Sequence, residues 1–411
     1  MRLTQKSLSH LYTKNSFMKN ENILISGAGI AGTSLAFWLS KYGFQPVIVE
    51  KSPVFRTGGY IIDFFGVGFE VAEKMNIVDA LRKEDIRINE VTAVNKDGKR
   101  ISGLNMYQFR KTLKGHVFSL KRSSLAKTIY DALPKGIEII YNNSIKSLKD
   151  QNGAVTVEFE DGSTRDFDLV IGADGLHSKV RELAFGPEDE FEKFFGYYVS
   201  SFTMPDKLTV NKNFLSYSLP GKQANIYTLN DGKQAALLIY RTDHKVKYNY
   251  HDVKEQMQLL RNEYAHQGWL CPQMLEEMEK TGDFYFDAVS QIKMESWSRG
   301  RISLVGDACD CPSLLSGQGS TLAMAASYIL AGELKKSNGD YAIAFSKYER
   351  KFKPFIDNKQ NLAQGFAASF VPSSAFGILL RNMALRLSGF PFFAKWMAGK
   401  FMVDDISLED Y

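Results

Sequence analysis

Cysteine is scarce: Cys271, Cys309 and Cys311 are the three in a chain of 411 residues. Their spacing gives no disulfide framework, and no companion Cys or His set completes a tetrahedral metal site. A reducing, cytoplasmic setting without a bound metal is expected. Charge of one sign is also missing, since 51 Lys and Arg stand against 46 Asp and Glu for a net +5. Arg2, Lys6, Lys14 and Lys19 lie in an acid-free leader. The remaining body is close to neutral and offers no broad field for nucleic acid. The leader lacks the apolar run of a secretory signal. Residues 1–18 are read as a disordered tail or an alternative start, with an amphipathic targeting peptide as the other reading. Residues 360–380 carry no charge, but Pro372 and the Gln, Asn and Ser residues argue against a membrane span. What is present, 44% apolar and 24% charged residues, is ordinary globular composition with length enough for two domains.

The most informative stretch is Asn22 to Glu50. Ile23-Leu24-Ile25-Ser26 reads as a strand and Gly27-Ala28-Gly29-Ile30-Ala31-Gly32 as a glycine turn. Leu35, Ala36 and Leu39 have helical spacing, Gly43 is a stop, and Pro46 to Glu50 is a second strand. This is the dinucleotide-binding βαβ pattern. Gly27 permits the tight turn, Gly29 lets a pyrophosphate approach the backbone, and Gly32 lets helix and strand pack closely, with the helix N-terminus facing the phosphates. Glu50 ends the second strand, where a carboxylate accepts ribose hydroxyls, and Lys51 follows it. FAD and NAD(P) share this fingerprint.

Two later segments bear on that choice. Val155 to Phe159 alternates faces, Asp161-Gly162 turns, and a strand from Phe167 to Ala173 runs into Asp174-Gly175. Arg301 to Val305 reads as another strand, followed by Gly306-Asp307, a loop through Pro312 to Gly317-Gln318-Gly319, and an apolar helix from Ser320 to Leu334. The three fingerprints, in this order and at these separations, resemble those of the class A FAD-dependent aromatic monooxygenases. The phrases RTGGYIIDFFG at 56–66, YYVSSFTMP at 197–205, FYFDAVSQIKMESWSRGRISLVGDA at 284–308 and CPSLLSGQG at 311–319 are most similar to the tetracycline-inactivating flavin monooxygenases.

That resemblance implies tightly bound, non-covalent FAD and transient NADPH. It implies O2 as co-substrate, reacting through a flavin C4a-hydroperoxide, and inactivation of a tetracycline-type polycycle. The alternatives are a hydroxylase of a simpler phenol or aromatic acid and a planar-ligand-binding flavoprotein without turnover. Ala28, Ile30 and Ala31 join the three glycines, Glu50 and Lys51 as the implied nucleotide contacts. Asp307 is implied for the ribityl hydroxyls, or else as a helix cap. Gly317, Gly319 and Ser320 place a helix start at the flavin N1/O2 edge. Arg122 is the family arginine reaching FAD, or a surface ion pair. Arg56 and Asp63 match positions touching nucleotide or flavin. Asp174 faces the pyrophosphate, or caps the helix expected over His177 to Leu183, and the two roles are compatible. The chain departs from the family's Ala-Ala-His after the Gly-Asp and reads Ala308-Cys309-Asp310-Cys311-Pro312, so no relay histidine stands there. No general base is identified.

The implied architecture is α/β: a discontinuous Rossmann-type FAD-binding domain (19–70, 96–190, 283–335) with an inserted β-sheet substrate domain (71–95, 191–282). A bridging helix (336–370) and a C-terminal helical lid (371–411) complete it. For that last segment, membrane-surface contact and plain core closure are the other readings. Substrate candidates are Tyr197, Tyr198, Phe202, Tyr217, Arg241 and Pro312, with core packing open for each aromatic and solvent exposure open for Arg241. A monomer is expected.

Overall fold

The computed structural model describes residues 18–55, 60–208, 214–250, 252–313, 317–387 and 404–411. Its first layer is a six-stranded sheet in the order Ser298–Arg299, Ile302–Leu304, Leu169–Gly172, Asn22–Ser26, Gln45–Glu50, Glu138–Tyr141. All neighbours pair in parallel except the first two. Buried on both faces, the central strands are continuous apolar runs rather than alternating ones. Because they run in parallel, Ser26, Glu50, Gly172 and Leu304 all end at one sheet edge, the edge at which such folds bind ligands.

Two glycines fix the first turn. Gly27 has φ +104°, and a Cβ there would lie 2.6 Å from the Ala173 carbonyl oxygen. A Cβ at Gly32 would lie 1.9 Å from the Gly27 carbonyl oxygen, so the helix Ile30–Lys41 crosses the strand end at a distance only glycine allows. That helix packs beside Gly319–Lys336, and the Ser327 hydroxyl donates to the Ala31 carbonyl at 2.9 Å.

The second layer is a seven-stranded sheet: Tyr285–Ile292, Glu192–Met204, Gln234–Arg241, Lys222–Thr228, Phe214–Leu219, Glu90–Val94, Arg100–Asn105. Its two faces differ. Tyr198, Phe202, Met204 and Tyr217 pack under the helices Val253–Tyr264 and Cys271–Met278. Tyr197, Val199, Phe214, Tyr227 and Leu237 pack on the other face with Tyr60 and Tyr285. The hairpin 90–105 lies wholly in this sheet, so a domain boundary at 95/96 cuts through one unit. Residues 71–81 instead place Val71, Ala72, Met75 and Leu81 in the core of the nucleotide fold, and the strand beginning at Tyr285 belongs to the second sheet. Strand pairing, which crosses the sequence gaps, sets these borders.

The helix Tyr341–Phe370 bridges the layers. Ala344, Phe345, Tyr348 and Phe352 enter the nucleotide core, while Phe370 and Val371 reach the second sheet. Midway, the Gln360 side-chain amide donates to the carbonyls of Ile292 (2.8 Å) and Cys311 (3.1 Å), and that of Gln291 donates to Pro312 (2.8 Å) and Gln360 (2.7 Å). The segment expected as a lid divides. The helix Ala375–Leu387 lies along the edge strand Arg100–Asn105, and 388–403 lie outside the described residues. Residues 404–411 have no helix and return to the nucleotide domain. There Asp404 accepts from the Val67 N–H at 2.7 Å, serving as the cap that Gly66 lacks, and pairs with Lys359 at 2.6 Å. Tyr411 packs on Gly332, where a Cβ would lie 2.2 Å from its ring, and its hydroxyl donates to Glu333. A lid helix at this end is therefore not what these eight residues form, because their charged and aromatic side chains find partners on the nucleotide domain.

Both side chains of the Lys359–Asp404 pair are 7% exposed. Asp404→Ala is predicted to lower the unfolding free energy in chemical denaturation by about 3–5 kcal/mol, because it leaves a buried ammonium unpaired. Combining it with Lys359→Met should recover most of that loss; an Asp404→Ala variant as stable as the parent contradicts the strap.

Candidate functional site

Above the sheet edge where the parallel strands end lies a cavity of about 660 Å3. The Gly27–Ala31 turn, Glu50 and Lys51 line one end. Glu50 is buried, and its carboxylate accepts the N–H of Ala28 and of Ser52, each at 2.9 Å. The helix start at Ile30 has no side-chain cap, so its first amides are free to meet an anion. A Cβ at Gly29 would meet no protein atom within 4 Å; Gly32 stands behind, in packing.

Asp174, Arg122, Asp307, Gly317, Gly319 and Ser320 line the middle of the cavity. Asp174 is also a capping residue: it accepts from the N–H of Lys179 (2.9 Å) and Val180 (3.2 Å) at the start of the helix Lys179–Ala184. Asp307 sits in the 3-10 turn Gly306–Ala308, and its Oδ1 lies 3.4 Å from where a Gly319 Cβ would stand. Burial raises the Asp307 carboxyl above its ordinary range, with Arg122 opposing the shift. Burial pulls Arg122 down, but Tyr60 and Asp307 outweigh it and leave the guanidinium more basic than usual. Arg181 ties the two turns together: its side chain, 1% exposed, donates to the carbonyls of Ala308 (2.9 Å) and Leu176 (2.7 Å) and to Glu188 (3.0 Å).

Two nucleotide expectations fall elsewhere. Asp63 does not line the cavity. Tyr60 and Ile62 do, so strand alternation turns Asp63 away, where it accepts from the Ser119 hydroxyl at 2.6 Å beside the Arg110–Asp85 pair. Arg56 lies outside the described residues. Among the substrate candidates, Pro312 lines the cavity. Tyr198, Phe202 and Tyr217 do not, since alternation puts all three on the helix-covered face. Tyr198 stacks on Phe286 and its hydroxyl is held by the Val246 backbone. Tyr197 has the cavity-side parity. Arg241, its register partner, is half exposed and pairs with Asp243 at 3.4 Å. At the departure from the family wording, Asp310 is 1% exposed and its Oδ2 finds no partner among the described residues. Burial and then Asp307 push its carboxyl up to about 8, and it is not among the residues that line the cavity.

The far wall was not marked by any glycine motif. It comprises Tyr60, Phe284, Tyr285 and Asp287, with His177 at the rim. The signal was the i, i+2 alternation of Tyr285 and Asp287 in the strand Tyr285–Ile292. His177 Nδ1 lies 3.0 Å from Glu188 and Nε2 3.3 Å from Asp287, with the ring stacked on Tyr250. Burial lowers its basicity, but the two carboxylates dominate and raise it from 6.5 to about 10. A group whose folded value is raised stabilises most below its unfolded value, and the gain is lost as pH rises through the folded value. His177→Gln is therefore predicted to cost about 1.5–3 kcal/mol below pH ~6.5. The difference should shrink towards pH 10 in thermal unfolding measured across that range. A gap independent of pH contradicts the clamp.

Comparisons with known proteins agree with this geometry. Residues 20–342 match the family model described as FAD binding domain. A flavin-dependent monooxygenase of Legionella longbeachae is 37% identical over 361 residues, 86% of this chain and 90% of the relative. Among solved structures, tetracycline destructase Tet(55) is 33% identical, and the match covers 95% of this chain and 99% of that one at a TM-score of 0.81. Tetracycline destructase Tet(51) is 31% identical with the same coverage and TM-score. Among the described residues no helix is long and apolar enough to cross a membrane. The chain belongs to the FAD-binding domain family and is an FAD-dependent monooxygenase of the class A type.

Proposed function

We propose that the enzyme consumes NADPH and O2 to oxidise, and so inactivate, a tetracycline-type polycyclic phenol or enol. The observation that carries this reading is the likeness to two tetracycline destructases across 95% of this chain.

The residues present suit FAD. Gly29 leaves open space against the backbone, uncapped amides of the helix Ile30–Lys41 face it, and two carboxylates, the buried Glu50 and the half-buried Asp307, stand at separate places along one continuous cavity. In the proposed assignment Gly27 to Gly32 take the pyrophosphate, Glu50 the adenosine ribose, and Asp307 with Arg122 the ribityl chain. The N-terminal amides of the helix Gly319–Lys336 stabilise negative charge on the flavin ring edge. When bound, FAD supplies hydride acceptance and oxygen activation. The protein's own part is to bind, orient and exclude water. Gln291 and Gln360 hold the Cys311–Pro312 backbone against the second sheet, and Arg181 fixes the turns at 174–177 and 306–308 to each other. NADPH is assigned a transient contact rather than a second nucleotide fold, since the one glycine turn serves FAD.

A second reading, a smaller phenol or aromatic acid, is favoured by one feature. Tyr197, Phe214, Tyr227 and Val371 are all buried in a single cluster on the cavity-side face of the sheet, which narrows the room for a four-ring substrate.

Asp307→Ala is predicted to weaken FAD retention by roughly 10- to 100-fold, read as lost yellow colour after gel filtration with the circular dichroism of the fold unchanged. Purified wild type in air should oxidise NADPH faster with tetracycline than without it, and yield a product heavier by one oxygen atom. Stimulation by simple phenols alone transfers the function to the second reading, and full FAD content in Asp307→Ala contradicts the site assignment.

A further inference from the structure

The cavity's far wall holds a connected set of titratable groups that no glycine fingerprint accounts for. Tyr285 and Asp287 stand two apart on one strand and share its cavity-side face. The Tyr285 hydroxyl donates to Asp287 Oδ2 at 3.3 Å. Asp287 Oδ1 accepts the Ala288 N–H at 2.8 Å and faces His177 Nε2 at 3.3 Å. His177 Nδ1 in turn faces Glu188 at 3.0 Å, and Arg181 closes the far end on Glu188. The chain of contacts runs from solvent, where the His177 side chain is 31% exposed, to the interior, where Tyr285 lies 5.4 Å from the Tyr60 ring beside Arg122 and Asp307.

We propose that Tyr285 and Asp287 together take the proton from the substrate's phenolic or enolic hydroxyl, with His177 as the residue that positions Asp287. The inference rests on the reading of the substrate as a phenol or enol. The transfer is a proton shift without electron transfer. The substrate O–H bond breaks and its proton joins the Tyr285 oxygen as the Tyr285 proton passes to Asp287 Oδ2. The substrate is left as an anion, the electron-rich form that an electrophilic oxygen donor attacks, and Asp287 is left neutral. Asp287, 15% exposed at its side chain, later returns the proton to water.

The electrostatics are consistent with these roles. Burial, then Asp287 and Tyr60, keep the Tyr285 phenol far above its ordinary range, so it stays protonated and acts only as a conduit. The carboxylates beside His177 keep that imidazole charged at neutral pH, so it cannot compete for the proton and serves to hold the carboxylate. The groups around Asp287 are His177, with Glu188 and the Tyr250 ring on that imidazole; Tyr248 from the segment after Arg241; Tyr198 on the neighbouring strand; Tyr285 on its own strand, with Arg122 beside it; and Tyr60 and Asp307. A proton relay through histidine at 310 is replaced, on this account, by a path that starts on the strand Tyr285–Ile292.

The test uses FAD-loaded enzyme and two probes whose absorbance reports ionisation, tetracycline and 4-nitrophenol, titrated across pH in the bound state without NADPH. Tyr285→Phe and Asp287→Asn are each expected to raise the bound probe's apparent pKa by about one unit, a tenfold loss of anion at a given pH, and to lower kcat by about 10²-fold with KM little changed. His177→Gln, which keeps a hydrogen bond but not the charge, should give a smaller shift in the same direction. If 4-nitrophenol shows the shifts and tetracycline does not bind, the proton path stands and the polycyclic substrate falls. Bound-probe pKa values that Tyr285→Phe and Asp287→Asn leave unmoved, or failure of both probes to bind the FAD-loaded parent, overturn the proposal.

Discussion

The contact between Gly32 and the Gly27 carbonyl is the constraint on which the site depends. At the distance observed, a single methyl group at position 32 would overlap a backbone oxygen. The helix Ile30–Lys41 must therefore begin directly on the end of the strand Asn22–Ser26, and its uncapped amides open into the cavity rather than into packed side chains. Everything placed along that cavity follows from the same parallel sheet. Glu50 ends the neighbouring strand on one side, Asp174 follows the strand on the other, and Asp307 follows the next. The strands bring three distant turns to one edge without any of them being adjacent in sequence.

The second sheet has to be held against that edge, and polar side chains do much of it. Gln291 and Gln360 exchange their amides with four backbone carbonyls around Cys311 and Pro312. Arg181 joins two cavity turns. Asp404 brings the end of the chain back to cap the helix Val67–Lys74. Each is a buried polar group that bonds to a different part of the chain, a contact that is costly to disrupt and specific in geometry. Tyr348 and Phe352 of the bridging helix add apolar contact on the nucleotide side, and Val371 on the sheet side.

The nucleotide half of this arrangement was legible because its chemistry is local. Glycines at fixed offsets, and a carboxylate at a strand end, mean the same thing wherever they occur, and Glu50, Asp174 and Asp307 all line the cavity. The substrate half was not. Tyr198, Phe202 and Tyr217 are aromatics on strands, but a strand's two faces cannot be told apart from sequence when both are apolar, and here helices cover one and the nucleotide domain the other. Asp63 failed for the same reason, one residue out of phase with Ile62. Tyr285, Asp287 and His177 meet from a strand and a loop about 110 residues apart, and no spacing rule joins them. The hairpin 90–105 shows the same limit at domain scale: its allegiance is set by pairing with Phe214–Leu219.

The account as a whole holds that one cavity receives FAD along the nucleotide strands and an ionisable polycycle against the far wall. Its central claim is best tested by transient kinetics under anaerobic conditions, following the loss of the visible flavin absorbance after mixing the FAD-loaded enzyme with NADPH, with and without tetracycline. The account predicts that tetracycline accelerates flavin reduction and that later admission of oxygen yields oxygenated tetracycline. Reduction at one rate whatever the ligand, with tetracycline recovered unchanged, would contradict it.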